Sequence, residues 1–160
     1  MFSFKKKKPK TTILLSPVTG KCISLEEVPD EVFSTKMMGD GIAFDLTDSK
    51  VVAPADGQVT FIAETKHAIG LTLSSGMEIL IHVGLDTVTL AGKGFNVLVE
   101  NGQKVTAGAV LLEIDLALMA EHHLQLTTPL IVMSNDAGTL VPMALNEMVV
   151  GGETAVLTFK

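Results

Sequence analysis

The chain has 160 residues, of which 47% are hydrophobic and only 4% aromatic, so it is long enough for one domain with a largely aliphatic core. All twelve of its basic residues are lysines, and five of them lie in the first ten positions, which leaves a body with seven lysines against eighteen acidic residues. This acidic body argues against a nucleic-acid partner and suits a basic protein partner.

The first twelve residues differ in character from the rest of the chain. Phe2 and Phe4 are followed by the lysine run 5–8, and we predict a flexible basic tail over residues 1–12 and a single domain over residues 13–160. Terminal charge runs are usually just solvated. The alternative is a weak contact with a membrane surface, in which the two phenylalanines enter the headgroup region beside anionic lipids.

Other features of the sequence predict a soluble cytoplasmic protein. No apolar run approaches the roughly 20 residues that cross a bilayer, and the start of the chain lacks the apolar region of a signal peptide. The single cysteine, Cys22, excludes an internal disulfide framework, which fits a reducing compartment.

From residue 11 onward the pattern is one of short apolar or alternating segments separated by Gly, Pro, Asn and Asp turns. We predict strands over residues 13–15, 41–46, 50–52, 57–64, 68–73, 78–83, 104–105, 111–114, 130–134 and 155–159. The fold class predicted is all-β, an antiparallel β-sandwich or barrel-sandwich hybrid with only short helices. The best helix candidate is 116–125, because Asp115 can cap its start and Pro129 lies beyond its end.

Two segments of the chain resemble each other. The similarity lies between Leu15-Ser16-Pro17-Val18-Thr19-Gly20-Lys21 and, thirty-seven positions later, Val52-Ala53-Pro54-Ala55-Asp56-Gly57-Gln58. This spacing predicts an internal pseudo-repeat.

Two histidines in apolar surroundings are the strongest chemical signal. His67 and His82 lie fifteen positions apart, each in a run that reads as a strand. On strand alternation His82 shares a face with Leu80, while the Thr65 hydroxyl lies two positions from His67 and can bond to it. A neutral imidazole is a nucleophile near pH 7, so a pair of such rings can carry a chemical group.

Several motifs together resemble one family. They are Val28-Pro29-Asp30, Gly39-Asp40-Gly41-Ile42-Ala43, Val52-Ala53-Pro54-Ala55-Asp56-Gly57, Thr65-Lys66-His67-Ala68, Ile81-His82-Val83-Gly84-Leu85-Asp86-Thr87-Val88 and Gly92-Lys93-Gly94-Phe95. Their order and spacing resemble the glucose-type IIA domain of the bacterial phosphoenolpyruvate-dependent sugar phosphotransferase system, from about Ile13 to the C-terminus.

The resemblance implies a phosphoryl relay without a cofactor, in which the chain acts as a phosphotransferase component. His82 then accepts a phosphoryl group from the histidine-containing phosphocarrier protein and passes it to a cysteine of the IIB domain of a sugar permease. His67 is implied to hydrogen-bond the phosphoryl group, and Thr65 to orient His67. Independently of the resemblance, the chain has no arginine and no Gly-rich phosphate loop, so we expect the partner to supply cations.

The resemblance also implies a docking surface around the histidines. Its apolar part consists of Val32, Phe33, Met37, Met38, Leu80 and Val83, and Asp30 and Asp86 are expected to receive basic side chains of the partner. The alternative is that Phe33 and the two methionines are ordinary core residues.

Three other functions stay open on the sequence. The pseudo-repeated turn also occurs in biotinyl and lipoyl carrier domains, where Lys36-Met37-Met38 would have to present the modified lysine. The same face can instead serve a regulatory binding module. No metal site is expected within the chain, but His67 and His82 are two potential zinc ligands that a partner's carboxylate can complete.

Overall fold

The computed structural model describes residues 12–134 and 136–160. The predicted tail and its membrane contact, apart from Thr12, therefore lie outside the described residues. The strands found in the described part are β1 (Ile13–Leu15), β2 (Gly20–Ser24), β3 (Asp40–Leu46), β4 (Lys50–Val52), β5 (Gly57–Ile62), β6 (Ala68–Leu73), β7 (Glu78–His82), β8 (Phe95–Val97), β9 (Lys104–Val105), β10 (Val110–Ile114), β11 (Thr127–Ser134), β12 (Leu140–Pro142), β13 (Met148–Val149) and β14 (Ala155–Phe159).

In residues 12–134 and 136–160 the strands form three antiparallel sheets, which confirms the all-β antiparallel fold class. The largest sheet has eight strands in the order β13-β2-β3-β11-β7-β6-β5-β9. Two sheets of three strands, β1-β14-β12 and β4-β10-β8, complete the fold. Strand β7 lies inside the large sheet, paired with β6 on one side and β11 on the other, so its end is held by two neighbours.

The pseudo-repeat is visible in the backbone hydrogen bonds. Leu15 N–H donates to the Pro54 carbonyl at 2.9 Å, and Val52 N–H donates to the Pro17 carbonyl at 2.8 Å. The two similar segments thus bond to each other reciprocally, as expected for elements related by a local twofold arrangement.

The large sheet buries a different set of side chains on each face. Ile79, Ile81 and Val83 belong to the main core, together with residues from all three sheets. Leu80 belongs instead to a smaller cluster with Phe33 and Val28. Side chains along β7 alternate between the two faces of the sheet, as predicted, so His82 lies on the face of the smaller cluster.

Helices are short, as predicted. A 3₁₀ turn spans Leu25–Glu27, helix α1 spans Glu31–Ser34, a second 3₁₀ turn spans Thr87–Leu90, and helix α2 spans Leu116–Glu121. None of the helices in residues 12–134 and 136–160 is long and apolar enough to cross a membrane.

Helix α2 ends four residues before the predicted boundary at Gln125, so that boundary is wrong. Asp115 caps the start as expected, its carboxylate accepting from Leu118 N–H at 3.0 Å. His123 then adopts a left-handed conformation with φ of 56°. Leu124 N–H donates back to the Met119 carbonyl at 3.0 Å, a pattern that closes a helix before Pro129 has any influence.

Helix α1 and strands β2, β8, β12 and β13 lie outside the predicted elements. The four strands are two to five residues long, and β2 includes an exposed lysine between buried positions. Segments this short carry too few alternating positions to be recognised from hydrophobicity alone.

Candidate functional site

The two histidines come together at one end of the large sheet. His82 is the last residue of β7 and pairs with Ala68, the first residue of β6. His67 immediately precedes Ala68, so the pairing of β6 with β7 places the two imidazoles side by side. Their ring centroids are 4.8 Å apart, with the planes at 81°.

The ring of His82 is fixed by a backbone carbonyl. Its Nδ1 lies 2.9 Å from the Gly84 carbonyl oxygen. A carbonyl can only accept, so Nδ1 carries the proton and Nε2 keeps its lone pair. Phe33 packs against the same ring, with centroids 4.9 Å apart. The nitrogen of His82 that keeps an available lone pair is therefore Nε2.

His67 lies in a hairpin and not in a strand, which corrects the prediction that both histidines occupy strand-like runs. The hairpin is closed by Ala63 N–H donating to Ala68 O at 2.9 Å, and Lys66 adopts a positive φ of 65°. The hydroxyl of Thr65 is 2.7 Å from His67 Nδ1, as expected. Because a hydroxyl can donate or accept, this contact allows either tautomer of His67.

The surroundings of both rings favour the neutral imidazole. Burial lowers the pKa of His82, and the neighbouring His67 lowers it further, against smaller raising effects of the Gly84 carbonyl and the Asp30 carboxylate. Burial also lowers the pKa of His67, against a smaller raising effect of a backbone hydrogen bond at Thr65. Neutral rings are the form that attacks an electrophile.

The histidines open into a largely apolar depression of about 390 Å³. It is lined by Asp30, Val32, Phe33, Met38, Phe61, Ala63, His67, Ala68, Leu80, His82, Asp86 and Val88. None of these lining residues is a lysine. A negatively charged group seated here would meet imidazoles, apolar side chains and the carboxylates of Asp30 and Asp86, so any cation that stabilises it would have to come from outside.

Most residues of the predicted docking surface line this depression. Val32 and Met38 are exposed, and Phe33 and Leu80 form its floor, with only 4% and 6% of their surfaces exposed. Asp30 and Asp86 lie at its rim. Met37 is 75% exposed but lies outside the lining set. Of the three residues that could have been either core or surface, Phe33 is therefore buried, whereas Met37 and Met38 are exposed.

Val83 does not belong to this surface, and its inclusion was wrong. It is 1% exposed and packs in the main core. It follows His82 by one residue and so points to the opposite face of the sheet, which prevents its side chain from contacting a docked partner.

Two exposed apolar residues of the depression were missed by sequence reasoning. Val88 lies in the 3₁₀ turn after His82 and Phe61 on β5, and each is 49% exposed. The register of β5 against β6 shifts between Val59 and Phe61. That bulge turns Phe61 outward, although alternation from the buried Val59 would place it in the core. Val88 could have been found from its place in the His82 motif.

A metal site within the chain has no support in the described residues. No group of three or more His, Cys, Asp or Glu side chains in residues 12–134 and 136–160 is arranged to hold an ion. Cys22 is fully buried, and burial raises the pKa of its thiol to about 11. His122 and His123 are exposed at the end of α2. Zinc shared between the two site histidines and a partner stays a prediction.

The lysine of the swinging-arm alternative is not presented as such a carrier requires. Lys36 follows helix α1 instead of occupying a strand hairpin, and its Nζ lies 3.3 Å from Glu26 and 3.4 Å from Asp40. A lysine to be modified has to stand free at the tip of a turn, whereas this one is paired with two carboxylates.

Comparison with known proteins gives a consistent assignment. Residues 12–138 match the family model for the phosphoenolpyruvate-dependent sugar phosphotransferase system, EIIA 1. The chain is 42% identical over 144 residues to a PTS system glucose-specific EIIA component from Bacillus cereus, covering 90% of this chain and 87% of that protein.

Two further relatives extend the comparison. An N-acetylglucosamine-specific EIICBA component from Klebsiella pneumoniae is 43% identical over 147 residues, covering 92% of this chain and 23% of that protein. The solved structure of glucose permease IIA from Mycoplasma capricolum superposes with a TM-score of 0.88 at 38% identity, covering 95% of this chain and 97% of that one. This chain therefore belongs to the glucose-type IIA family of the phosphoenolpyruvate-dependent sugar phosphotransferase system, and it is a phosphoryl-relay component in sugar uptake.

Proposed function

We propose that His82 is the residue that carries the phosphoryl group, receiving it from the histidine-containing phosphocarrier protein and passing it to a cysteine in the IIB domain of a sugar permease. The observation that carries this proposal is the free Nε2 of His82. Its Nδ1 is committed to the Gly84 carbonyl, and the ring stands 4.8 Å from His67 in an apolar depression.

In this geometry both phosphoryl-transfer steps form one bond to phosphorus and break another. The Nε2 lone pair of His82 forms a bond to phosphorus as the bond from phosphorus to the donor's histidine nitrogen breaks, and that electron pair returns to the donor ring. The proton on Nδ1 stays in place, bonded to Gly84 O. In the onward step a thiolate sulfur forms the new bond to phosphorus, and the electron pair of the broken N–P bond returns to Nε2.

His67 is proposed to stabilise the group in transit, with Thr65 orienting it. A dianionic phosphoryl group on His82 favours protonation of the adjacent ring, which then donates from Nε2 to a phosphoryl oxygen. The short contact between Thr65 Oγ1 and His67 Nδ1 limits rotation of that ring. The apolar lining keeps water from the labile bond.

The charges around the site and the names of the relatives support the two proposed protein partners, the phosphocarrier protein and the IIB domain. Asp30 and Asp86 at the rim, and a lining without lysine, suit a donor that brings its own cations. The IIB acceptor is supported by the Klebsiella relative, whose name joins the IIC, IIB and IIA parts in one protein. The relatives' names support a glucose-type sugar, and the enzyme class proposed is transferase of phosphorus-containing groups. The cytoplasmic location expected from Cys22 stays part of this proposal.

The first test is chemical. Incubation with phosphoenolpyruvate, the first enzyme of the system and the phosphocarrier should add one phosphoryl group, acid-labile and base-stable, and intact-mass measurement should show it. His82→Gln should add none, whereas the exposed pair variant His122→Gln/His123→Gln should label like the unmodified chain. Labelling of His82→Gln, or a phosphoryl group mapped to His67 or to a hydroxyl, would overturn the assignment.

A further inference from the structure

The two peptide groups that follow Val83 are each held at both ends. In the first, the Val83 carbonyl accepts from Thr87 Oγ1 at 2.6 Å, and Gly84 N–H donates to Thr128 Oγ1 at 3.4 Å. In the second, Leu85 N–H donates to the Gln125 carbonyl at 3.0 Å, and the Gly84 carbonyl accepts from His82 Nδ1 at 2.9 Å. Neither peptide plane can rotate without breaking a bond at each end.

Thr128 connects this loop to the neighbouring strand. It lies on β11 and is fully buried, with 0% of its surface exposed. Its hydroxyl donates to the Leu126 carbonyl at 3.0 Å while accepting from Gly84 N–H, so both its functions are used. Thr87 is also fully buried. Two buried hydroxyls therefore hold the Val83–Gly84 peptide, which adjoins the peptide whose carbonyl contacts the ring of His82.

Position 84 accommodates glycine and not a larger residue. It has a φ of 77°, and a Cβ at this position would lie 2.6 Å from Thr87 Cγ2 and 3.1 Å from the Gln125 carbonyl oxygen. Only glycine fits the conformation that turns its carbonyl back to His82.

The geometry points to Thr128, with Thr87, as a positioning residue for His82. The two hydroxyls hold the Val83–Gly84 peptide, and this orients the adjoining Gly84–Leu85 peptide, whose carbonyl fixes the tautomer of His82. This inference rests on the proposed role of His82 as phosphoryl acceptor. With the Gly84 carbonyl in place, the proton stays on Nδ1 and the lone pair stays on Nε2. If the Gly84–Leu85 peptide turns its carbonyl away, the ring is free to carry its proton on Nε2, which removes the nucleophilic lone pair without changing the ring itself.

The test replaces single hydroxyls and reads the ring directly. In Thr128→Val the shape is kept and the hydroxyl is lost, so ¹⁵N NMR of unphosphorylated protein should show His82 divided between two neutral tautomers, where the unmodified chain shows only the Nδ1–H form. Phosphoryl acceptance from the phosphocarrier should slow about tenfold, the size expected for one buried hydrogen bond. Thr128→Ser keeps a hydroxyl and should restore both readouts.

Thr127→Val is the matched control. Thr127 lies beside Thr128 on β11, but its hydroxyl donates to the Asp45 carboxylate on β3 at 3.1 Å instead of contacting Gly84. The variant's His82 tautomer and acceptance rate should equal those of the unmodified chain. Should Thr128→Val fail to fold, Thr87→Val tests the same peptide from its other end and should give the same two tautomers.

Three outcomes would overturn the inference. The first is a single Nδ1–H tautomer of His82 in Thr128→Val, or in Thr87→Val if Thr128→Val does not fold. The others are mixed His82 tautomers in the control Thr127→Val, and a failure of Thr128→Ser to restore the single tautomer and the acceptance rate. The ring signal is recorded without phosphoryl transfer. If the group enters elsewhere while the tautomer shift is still observed, the proposed function fails and the positioning role stands.

Discussion

The two histidines of the site are neighbours but are held in different ways. His82 closes a strand that is paired on both sides, and a carbonyl fixes which of its nitrogens carries the proton. His67 lies in a hairpin beside a lysine of positive φ, and its Nδ1 contacts a hydroxyl that can donate or accept. One ring is held in a single neutral tautomer, and the other can adopt either.

This difference matches what the two proposed roles demand. A nucleophile has to present the same lone pair to every donor, because a displacement of the attacking atom by about an ångström slows the reaction strongly. A hydrogen-bonding partner meets a neutral site before transfer and a dianion after it, so it has to accept or release a proton as the group arrives and leaves. Neighbouring rings of the same chemistry thus acquire separate functions from their backbone setting.

The largest effect that separates the rings is expected in His67→Gln. This variant should still accept a phosphoryl group at close to the normal rate, because the nucleophile is intact. Onward transfer to a IIB thiol should slow about a hundredfold, as expected when a group that donates a proton or hydrogen bond in the transition state is lost. Rapid-quench measurement of each half-reaction checks this division.

Lys66→Asn is the control for damage to the hairpin. Asparagine tolerates the positive φ of that position, so both half-reactions should stay normal. If His67→Gln slowed acceptance as strongly as onward transfer, the two rings would share one role and the comparison would fail.

A smaller effect is expected from pH. Only neutral His82 is a nucleophile, and burial lowers its pKa below the usual 6.5. Acceptance should therefore be nearly flat from pH 8 to pH 7 and, once below the lowered pKa, fall about tenfold per pH unit. Stopped-flow rates corrected for the donor's own titration give this profile. An acceptance rate that already declines between pH 8 and 7 would contradict it.

Stability should change with pH in the same direction. Because the folded pKa values of both rings are depressed, the unfolded chain binds more protons just below pH 6.5, and stability falls as pH drops through that range. Urea unfolding at pH 7 and pH 5 should show this loss, reduced in His82→Gln. A larger loss in His82→Gln than in the unmodified chain would contradict the sign.

The sequence predicted the fold class and the meeting of the two histidines, because these depend on regular features. Period-two alternation places Ile79 and Ile81 inside and His82 outside, and the pairing of two consecutive strands then brings His67 beside it. The contact between Thr65 and His67 follows from a spacing of two residues.

The details that the sequence did not predict depend on irregular backbone. A bulge turns Phe61 to the surface, and a closed hairpin takes His67 out of its strand. The position of Val83 was wrong for a different reason, since the alternation that faces His82 outward already places Val83 in the core. The bond from Gly84 N–H to the Thr128 hydroxyl joins residues 44 positions apart, which no local pattern encodes.

The smallest expected effect concerns the rim and not the rings, and it tests whether the partner supplies the missing cations. The double variant Asp30→Asn/Asp86→Asn removes two charges while keeping both local structures. Asp30 caps helix α1 by accepting from Val32 N–H at 3.0 Å, which asparagine can also do. Asp86 has a φ of 61°, which asparagine tolerates. Transfer from the phosphocarrier should slow a few-fold at low ionic strength, because rim charges act mainly on association rate.

The salt dependence of that effect identifies its origin. Screening acts over about 8 Å at 0.15 M ionic strength, so the difference between the double variant and the unmodified chain should shrink as salt rises. Glu100→Gln/Glu153→Gln, which removes two exposed charges outside the depression, should leave the salt slope unchanged. Stopped-flow transfer across a salt series measures both. An unchanged rate and an unchanged salt slope in the Asp30→Asn/Asp86→Asn variant would place these carboxylates outside the docking surface. In that case the apolar lining around His82, and not the charge at the rim, would have to select the donor protein.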